Sequence, residues 1–271
     1  MKIIIAGSTG FIGTSLVNDL KKTFSKVVSL TREQISDIIQ SQSEENFSDG
    51  DVLIYLAESN DRNFVNSQSL TYKEEALDRL NSFIMQGFEK IIYASSVTLY
   101  SDKDATPKTE EHSVSSRDLY SELKIESENI ILENNGIVLR LSNVYGKGMS
   151  KINVLSDIIR QMNHDEVHLI SLNPVRDFIW IDDVVNAFKK SIDYEGSGVF
   201  NIALGSSLSI GDLASILLEE SGNIGCTITT KNHYEEFSKV IIDINKAKNS
   251  LKWNPKITIT QGIGILLNEE I

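Results

Sequence analysis

The sequence predicts an α/β fold, a doubly wound parallel sheet with a smaller α/β part toward the carboxyl terminus, and two observations predict it. Short, continuous apolar runs of the kind buried on both faces alternate with helical stretches through the first half of the chain. The first run, Lys2 to Ala6, leads straight into Gly7, Gly10 and Gly13 at G-x-x-G-x-x-G spacing, and a helical pattern (Leu16, Val17, Leu20) follows at once.

Taken in order, Ile3–Ala6 is the first strand, followed by a helix near Thr14–Lys22 and a second strand at Val27–Leu30. The stretch from Leu30 to Val52 is short and polar around Gln40 to Glu45, so its crossover helix should be small or irregular. Val52–Leu56, a helix near Tyr72–Gln86, Ile91–Ser95, a helix near Tyr120–Asn134 and Gly136–Leu141 continue the alternation. Beyond Gly146-Lys147-Gly148 the pattern changes. A helix over Val154–Met162, a loop with Pro174, a strand at Phe178–Ile181 and a helix over Asp183–Ile192 follow. Next come a strand at Val199–Leu204, a helix over Ile210–Glu219 and a helical tail from Asp243 that Pro255 stops. The polar segment Ser101–Arg117 reads as a loop. The domains predicted are 1–146 for dinucleotide binding, rejoined by parts of 176–204, and 147–271, mainly for the substrate.

A strand, a glycine turn and a helix in that order make a place for a dinucleotide pyrophosphate. Gly7 takes the tight turn, Gly10 lets backbone amides approach phosphate, and Gly13 lets the helix pack closely on the strand. The helix amino terminus adds free N–H donors and partial positive charge. Gly7, Thr9, Gly10, Phe11, Ile12 and Gly13 are therefore cofactor-binding candidates.

Composition narrows the class. The net charge of −12 argues against a nucleic-acid partner, which needs a basic face. The single cysteine, Cys226, permits no intramolecular disulfide and reads as a small buried hydrophobe, and no cysteine or histidine cluster predicts a metal. The chain has neither a secretory n- and h-region nor an apolar run long enough for a membrane span, so it reads as cytoplasmic.

Tyr120 and Lys124 stand at i, i+4 on one helix face, where both side chains can meet one ligand. An ammonium beside a phenol stabilises phenolate, which makes Tyr120 a candidate acid/base. Upstream, the strand Ile91–Ser95 ends in two hydroxyls, Ser95 and Ser96, where ligands of open parallel sheets sit. Ser96 can hydrogen-bond an alcohol or carbonyl oxygen beside Tyr120; the plainer reading is that both serines cap the following turn.

With these residues the chain resembles the extended short-chain dehydrogenase/reductases, the branch of nucleotide-sugar epimerases, dehydratases and ketoreductases, over nearly its whole length. The resemblance implies a Rossmann-type fold. Gly7, Gly10 and Gly13 match the family's cofactor loop, and Asp51–Ala57 its third core strand, with Leu56 and Ala57 near the cofactor. Ala94–Tyr100 is similar to its catalytic serine segment, which makes Ser96 the acting hydroxyl, and Tyr120 with Lys124 matches its Y-x-x-x-K pair. Leu139–Gly146 resembles the segment that closes the Rossmann part, with Asn143 a substrate contact. Val175–Asp183 resembles a stretch whose arginine, here Arg176, holds the substrate's diphosphate. Asp243–Pro255 is similar to the family's tail, read as a helix and an aromatic plug. The family also implies a homodimer.

The departures bear on chemistry. A second diphosphate-binding arginine of many relatives is replaced here by His233, with Lys231 and Lys239 as possible substitutes. No match to the family's asparagine before Ser96 is present. Val97 and Thr98 stand where dehydratases carry an acidic pair, which disfavours dehydration. Relatives that bind NAD place a carboxylate at the end of the second strand; this chain has Thr31 and Arg32 there, which suit a 2′-phosphate and predict NADP(H) over NAD. The predicted function is NADPH-dependent reduction of a 4-keto nucleotide sugar. The alternatives are an NAD-dependent C4 epimerase and, in another class, a non-catalytic NADP-binding regulatory protein.

Overall fold

A computed structural model describes residues 1–40, 47, 50–230 and 237–270. The strands are β1 (Ile3–Ala6), β2 (Val27–Leu30), β3 (Val52–Tyr55), β4 (Lys90–Ser96), β5 (Ile137–Leu141), β6 (Asn143–Tyr145), β7 (Glu166–Leu169), β8 (Val175–Trp180), β9 (Gly198–Ile202), β10 (Ser207–Ser209) and β11 (Thr227–Thr230). The helices are α1 (Phe11–Thr23), α2 (Arg32–Ile39), α3 (Arg62–Asn66), α4 (Leu70–Ile84), α5 (Leu119–Glu133), α6 (Val154–Gln161), α7 (Ile181–Ile192), α8 (Ile210–Glu220), α9 (Asn245–Ser250) and α10 (Ile259–Glu270). A 3-10 turn spans Val97–Leu99.

Six parallel strands form the central sheet in the order β2-β1-β3-β4-β5-β9. The order reverses between β1 and β3, which opens a crevice at the carboxyl ends of the strands. Among the described residues no strand lies outside β2, in keeping with the short polar stretch that separates β2 from β3. Along β1 the period-2 alternation divides two cores. Ile3 and Ile5 join Leu16, Val184, Phe188 and Trp253 on one face, while Ile4 and Ala6 join Ile35, Leu80 and Phe83 on the other.

Two smaller sheets, β10-β8-β6 and β11-β7, pack with α6, α8 and α10 around a separate core that includes Trp180, Leu213, Leu217 and Leu266. Cys226 packs at the margin of this core and is half-buried rather than buried. As read from the sequence tail, Trp253 is a plug: it is 1% exposed, and its indole N–H donates to the Asp183 carbonyl at 2.9 Å. No helix among the described residues is long and apolar enough to cross a membrane.

Boundaries differ where caps decide them. Helix α1 begins at Phe11, immediately after Gly10 as N-cap, and not at Thr14. Strand β8 starts at Val175 and gives way at Ile181 to α7, whose first turn carries Asp182 and Asp183 against the helix dipole. Helices α3 and α10 and the strands β6, β7, β10 and β11 were not expected from sequence; these strands are only three or four residues long.

The glycine loop has no room for a side chain at two positions. Gly7 has φ of +89°, and a Cβ there would lie 2.5 Å from the Leu56 carbonyl oxygen. At Gly13 a Cβ would lie 2.3 Å from the Gly7 carbonyl oxygen. Alanine ordinarily favours a helix over glycine by about 1 kcal/mol, so Gly264→Ala in α10, where a Cβ meets Glu220 at an ordinary 3.5 Å, should be neutral or stabilising. Gly13→Ala should instead lose roughly 1–3 kcal/mol despite the same helix preference. Urea unfolding of the two variants beside the parent measures both.

Candidate active site

A cavity of about 570 Å³ opens at the crevice between β1 and β3. Gly7, Gly10, Phe11, Ile12 and Gly13 of the glycine loop line it together with Leu56, Ser96, Tyr120, Lys124 and Asn143. Residues far apart in sequence meet there because parallel strands end on the same side.

The loop end of the cavity fits an anion. Gly10 caps α1 without a side-chain hydrogen bond, and the first turn of α1 carries no acidic residue. A Cβ on Gly10 would meet only the Gly7 carbonyl oxygen, at 3.5 Å. The helix end therefore presents backbone N–H groups that a pyrophosphate can approach, and the residues present suit a dinucleotide. The Leu30 carbonyl accepts from the N–H groups of Gly7 and Ser8 at 3.0 and 3.2 Å, which sets Thr31 and Arg32 next to the loop. Thr31 also N-caps α2: its hydroxyl accepts from the Gln34 N–H while its own N–H donates to the Gln34 side chain. Arg32 is exposed in the first turn of α2.

Tyr120 and Lys124 lie on the buried side of α5, 6% and 4% exposed. Asp118 starts this helix through a capping box with Ser121. The Asp118 carboxylate also accepts from Arg62 Nε at 2.6 Å and Asn66 Nδ2 at 2.9 Å, and Asn66 Oδ1 accepts from the Tyr120 N–H at 2.9 Å. Helix α3 thus clamps the turn that carries Tyr120. Burial works upward on the Asp118 carboxyl, but donors from Ser121, Asn66 and Arg62 hold it down at about 2. The Lys124 ammonium donates to the Ala94 carbonyl at 3.0 Å and pairs with Glu58 at 3.2 Å.

Ser96 caps the turn, as the plainer reading has it, and borders the cavity. Its hydroxyl accepts from the Thr98 N–H at 3.2 Å, capping the 3-10 turn, while it lines the cavity. Ser95 instead donates to the buried Glu128, which pairs with Arg140 at 2.6 Å.

Of the remaining candidates only some reach this wall. Thr9, Thr31, Arg32 and Ala57 do not line the cavity. Asn143 does, and its amide donates to the Asp177 carbonyl at 2.8 Å. Asp177 is buried, which pushes its carboxyl up to about 6 even against donors from Leu204, Ser142, Gly205 and Ser206. Arg176 lies outside the cavity wall; it donates to Ser238 Oγ at 2.7 Å and to the Val175 and Ser238 carbonyls, 3.9 Å from Asp102. Burial, with Arg117 nearby, lowers its pKa from the ordinary arginine value. His233 and Lys231 lie outside the described residues. Sequence reasoning missed Asp118, Asn66 and Glu58; the D-x-x-S spacing of Asp118 and Ser121 around Tyr120 and a carboxylate directly after Ala57 were the available signals.

Residues 3–203 match the model of the NAD dependent epimerase/dehydratase family. Over 196 residues, 67% of this chain and 61% of the relative, the sequence is 31% identical to dTDP-4-dehydro-6-deoxyglucose reductase of Escherichia coli. The chain therefore aligns with about three fifths of that relative's length, 61%. The fold is similar to UDP-glucose 4-epimerase from Thermotoga maritima, determined with UDP-glucose, at a TM-score of 0.84 and 23% identity, covering 99% of this chain and 98% of that one. It is similar as well to RMD from Pseudomonas aeruginosa, complexed with NADPH, at a TM-score of 0.85 and 20% identity, again covering 99% and 98%. At these identities the likeness is one of fold.

The depressed Asp118 carboxyl gives a signed pH dependence. Its folded value lies below the ordinary 3.8, so its contribution is present above that pH and lost as pH falls through about 2. Between wild type and Asp118→Asn, denaturant unfolding should show a gap of roughly 1–2 kcal/mol at pH 7 that closes toward pH 2. A gap independent of pH would mean that the charge does not hold the start of α5.

Proposed function

The chain belongs to the NAD dependent epimerase/dehydratase family, and on that premise we propose that it uses NADPH to reduce the keto group of a 4-keto nucleotide sugar. One observation carries the reading: Ser96, Tyr120 and Lys124 border the same cavity as the glycine loop. In this reading residues 1–146, rejoined by parts of 176–204, hold the dinucleotide, and 147–271 mainly hold the substrate.

The dinucleotide, held by the Gly7–Gly13 loop and the amino end of α1, would supply the hydride. The chain's own groups manage the oxygen and its proton. Ser96 donates a hydrogen bond to the keto oxygen and fixes it beside Tyr120. The Tyr120 phenol gives its proton to that oxygen as negative charge develops there. Lys124, one helical turn away and tied to the Ala94 carbonyl, holds a ribose hydroxyl and stabilises the phenolate left on Tyr120. Asn143 and Arg176 hold the nucleotide sugar. Arg176 and Arg117 share the Asp102 carboxylate, at 3.9 and 3.6 Å, an arrangement that favours a second anion such as a diphosphate.

Preference for NADPH rests on Thr31 and Arg32 at the end of β2. The Thr31 oxygen accepts from the Gln34 N–H, so its O–H proton remains to donate, and Arg32 adds a cation at the amino end of α2.

Titration with each dinucleotide by calorimetry should give tighter binding of NADPH than of NADH, and protein free of copurified nucleotide. Tightly retained NAD, or NADH bound as well as NADPH, overturns the assignment of Thr31 and Arg32 and favours a C4 epimerase. With 4-keto sugar nucleotides as substrates, Tyr120→Phe should lower turnover by about 10²–10⁴-fold while leaving NADPH binding intact. Unchanged turnover removes Tyr120 from the mechanism.

A further inference from the structure

One residue beyond Ala57, past the carboxyl end of β3, the Glu58 side chain is 1% exposed yet lines the cavity. Its carboxylate is met from two other elements. The Tyr93 hydroxyl of β4 donates to Oε2 at 2.5 Å, and the Ser127 hydroxyl of α5 donates to Oε1 at 2.7 Å. The Lys124 ammonium lies 3.2 Å from Oε2. A buried carboxylate requires partners of this number and charge. It has them because β3, β4 and α5 all converge at this point.

Seen from Lys124 the arrangement is directional. An ammonium has three donors on a long, flexible stem. The Ala94 carbonyl accepts from one of them at 3.0 Å, the Glu58 carboxylate pairs with the charge at 3.2 Å, and the Tyr93 ring lies 4.8 Å from the nitrogen. Lys124 lines the cavity, so donor capacity remains for a ligand there. Without Glu58 the Ala94 carbonyl and the ring face would restrain the stem from one side only.

We propose that Glu58 is a positioning residue, which fixes where the Lys124 ammonium points and acts on bound dinucleotide and on Tyr120 through Lys124. This rests on the reading that Lys124 serves the reaction. Tyr93 and Ser127 in turn hold the carboxylate, so the chain of contacts runs from β4 and α5 through Glu58 to Lys124.

The test is a double-mutant cycle of Glu58→Gln and Lys124→Met, read in the NADPH dissociation constant by calorimetry and in kcat and KM separately. Glu58→Gln keeps size and a neutral acceptor, and should weaken NADPH binding roughly tenfold and lower kcat. Combined with Lys124→Met it should cost nothing beyond Lys124→Met alone. Losses that multiply in the double variant would show Glu58 acting independently of Lys124 and overturn the proposal. So would a Glu58→Gln protein that binds and turns over as the parent does. If Lys124→Met itself changes neither binding nor turnover, the role given to Lys124 fails, and with it this inference. Should Glu58→Gln not fold by circular dichroism, Tyr93→Phe removes one donor to the carboxylate and leaves the Glu58–Lys124 pair in place. It should then weaken NADPH binding roughly threefold, and an unchanged constant there also overturns the proposal.

Discussion

The constraint on which the site depends is the close approach of three backbone segments after β1. Gly13 of α1 packs on Gly7 of the loop, and Gly7 packs on the Leu56 carbonyl beyond β3, each at a separation that excludes a Cβ. These contacts set the amino end of α1 at the crevice, where strand order reverses and the ends of β3, β4 and β5 face the same space. Fold and site are here one packing problem, because the two glycines needed for a tight loop also bring the helix end near enough to serve a ligand.

The second half of the problem is α5, whose polar stripe is its buried face. Tyr120, Lys124, Ser127 and Glu128 follow one another at helical spacing and all are at most 6% exposed. Burying them is tolerable because each charge has a partner: Lys124 meets Glu58, and Glu128 meets Arg140 through two hydrogen bonds, at 3.0 and 2.6 Å. Removing one partner from a buried pair leaves an uncompensated charge and costs about 3–5 kcal/mol, so these groups specify one orientation of the helix against β4 and β5. The same orientation places Tyr120 and Lys124 on the wall of the cavity that Ser96 also lines.

Features that depend on local pattern were legible in the sequence. The glycine spacing after an apolar run, the continuous strands of the central sheet and the i, i+4 pair of Tyr120 and Lys124 are all written in neighbouring residues. What was hidden depends on contacts between distant segments. Glu58 follows a strand and reads as the start of a polar loop; only Tyr93, Ser127 and Lys124, from 35 to 69 positions away, make it a buried anion. Arg176 was legible as a cation next to Asp177, but its tie to Ser238, 62 positions on, places it outside the cavity wall. The short strands β6, β7, β10 and β11 carry too few residues for a period to show. They exist because their partners supply the other half of each ladder.

The charge balance makes the source of anion affinity specific. The protein carries a net charge of −12, yet the first turn of α1 beside its glycine loop carries no acidic residue. Among the described residues that line the cavity, the cationic side chains are Arg62 and Lys124, and each is already paired, with Asp118 at 2.5 Å and with Glu58 at 3.2 Å. Little of the attraction at the loop can then come from free side-chain charge. It has to come from the N–H groups at the amino end of α1, where no acidic side chain competes. Fixed dipoles at close range are less exposed to screening by salt than a mobile surface cation is. An acidic protein can therefore hold an anion here without a basic face, and the first turn of α1 must stay free of carboxylates for it to do so.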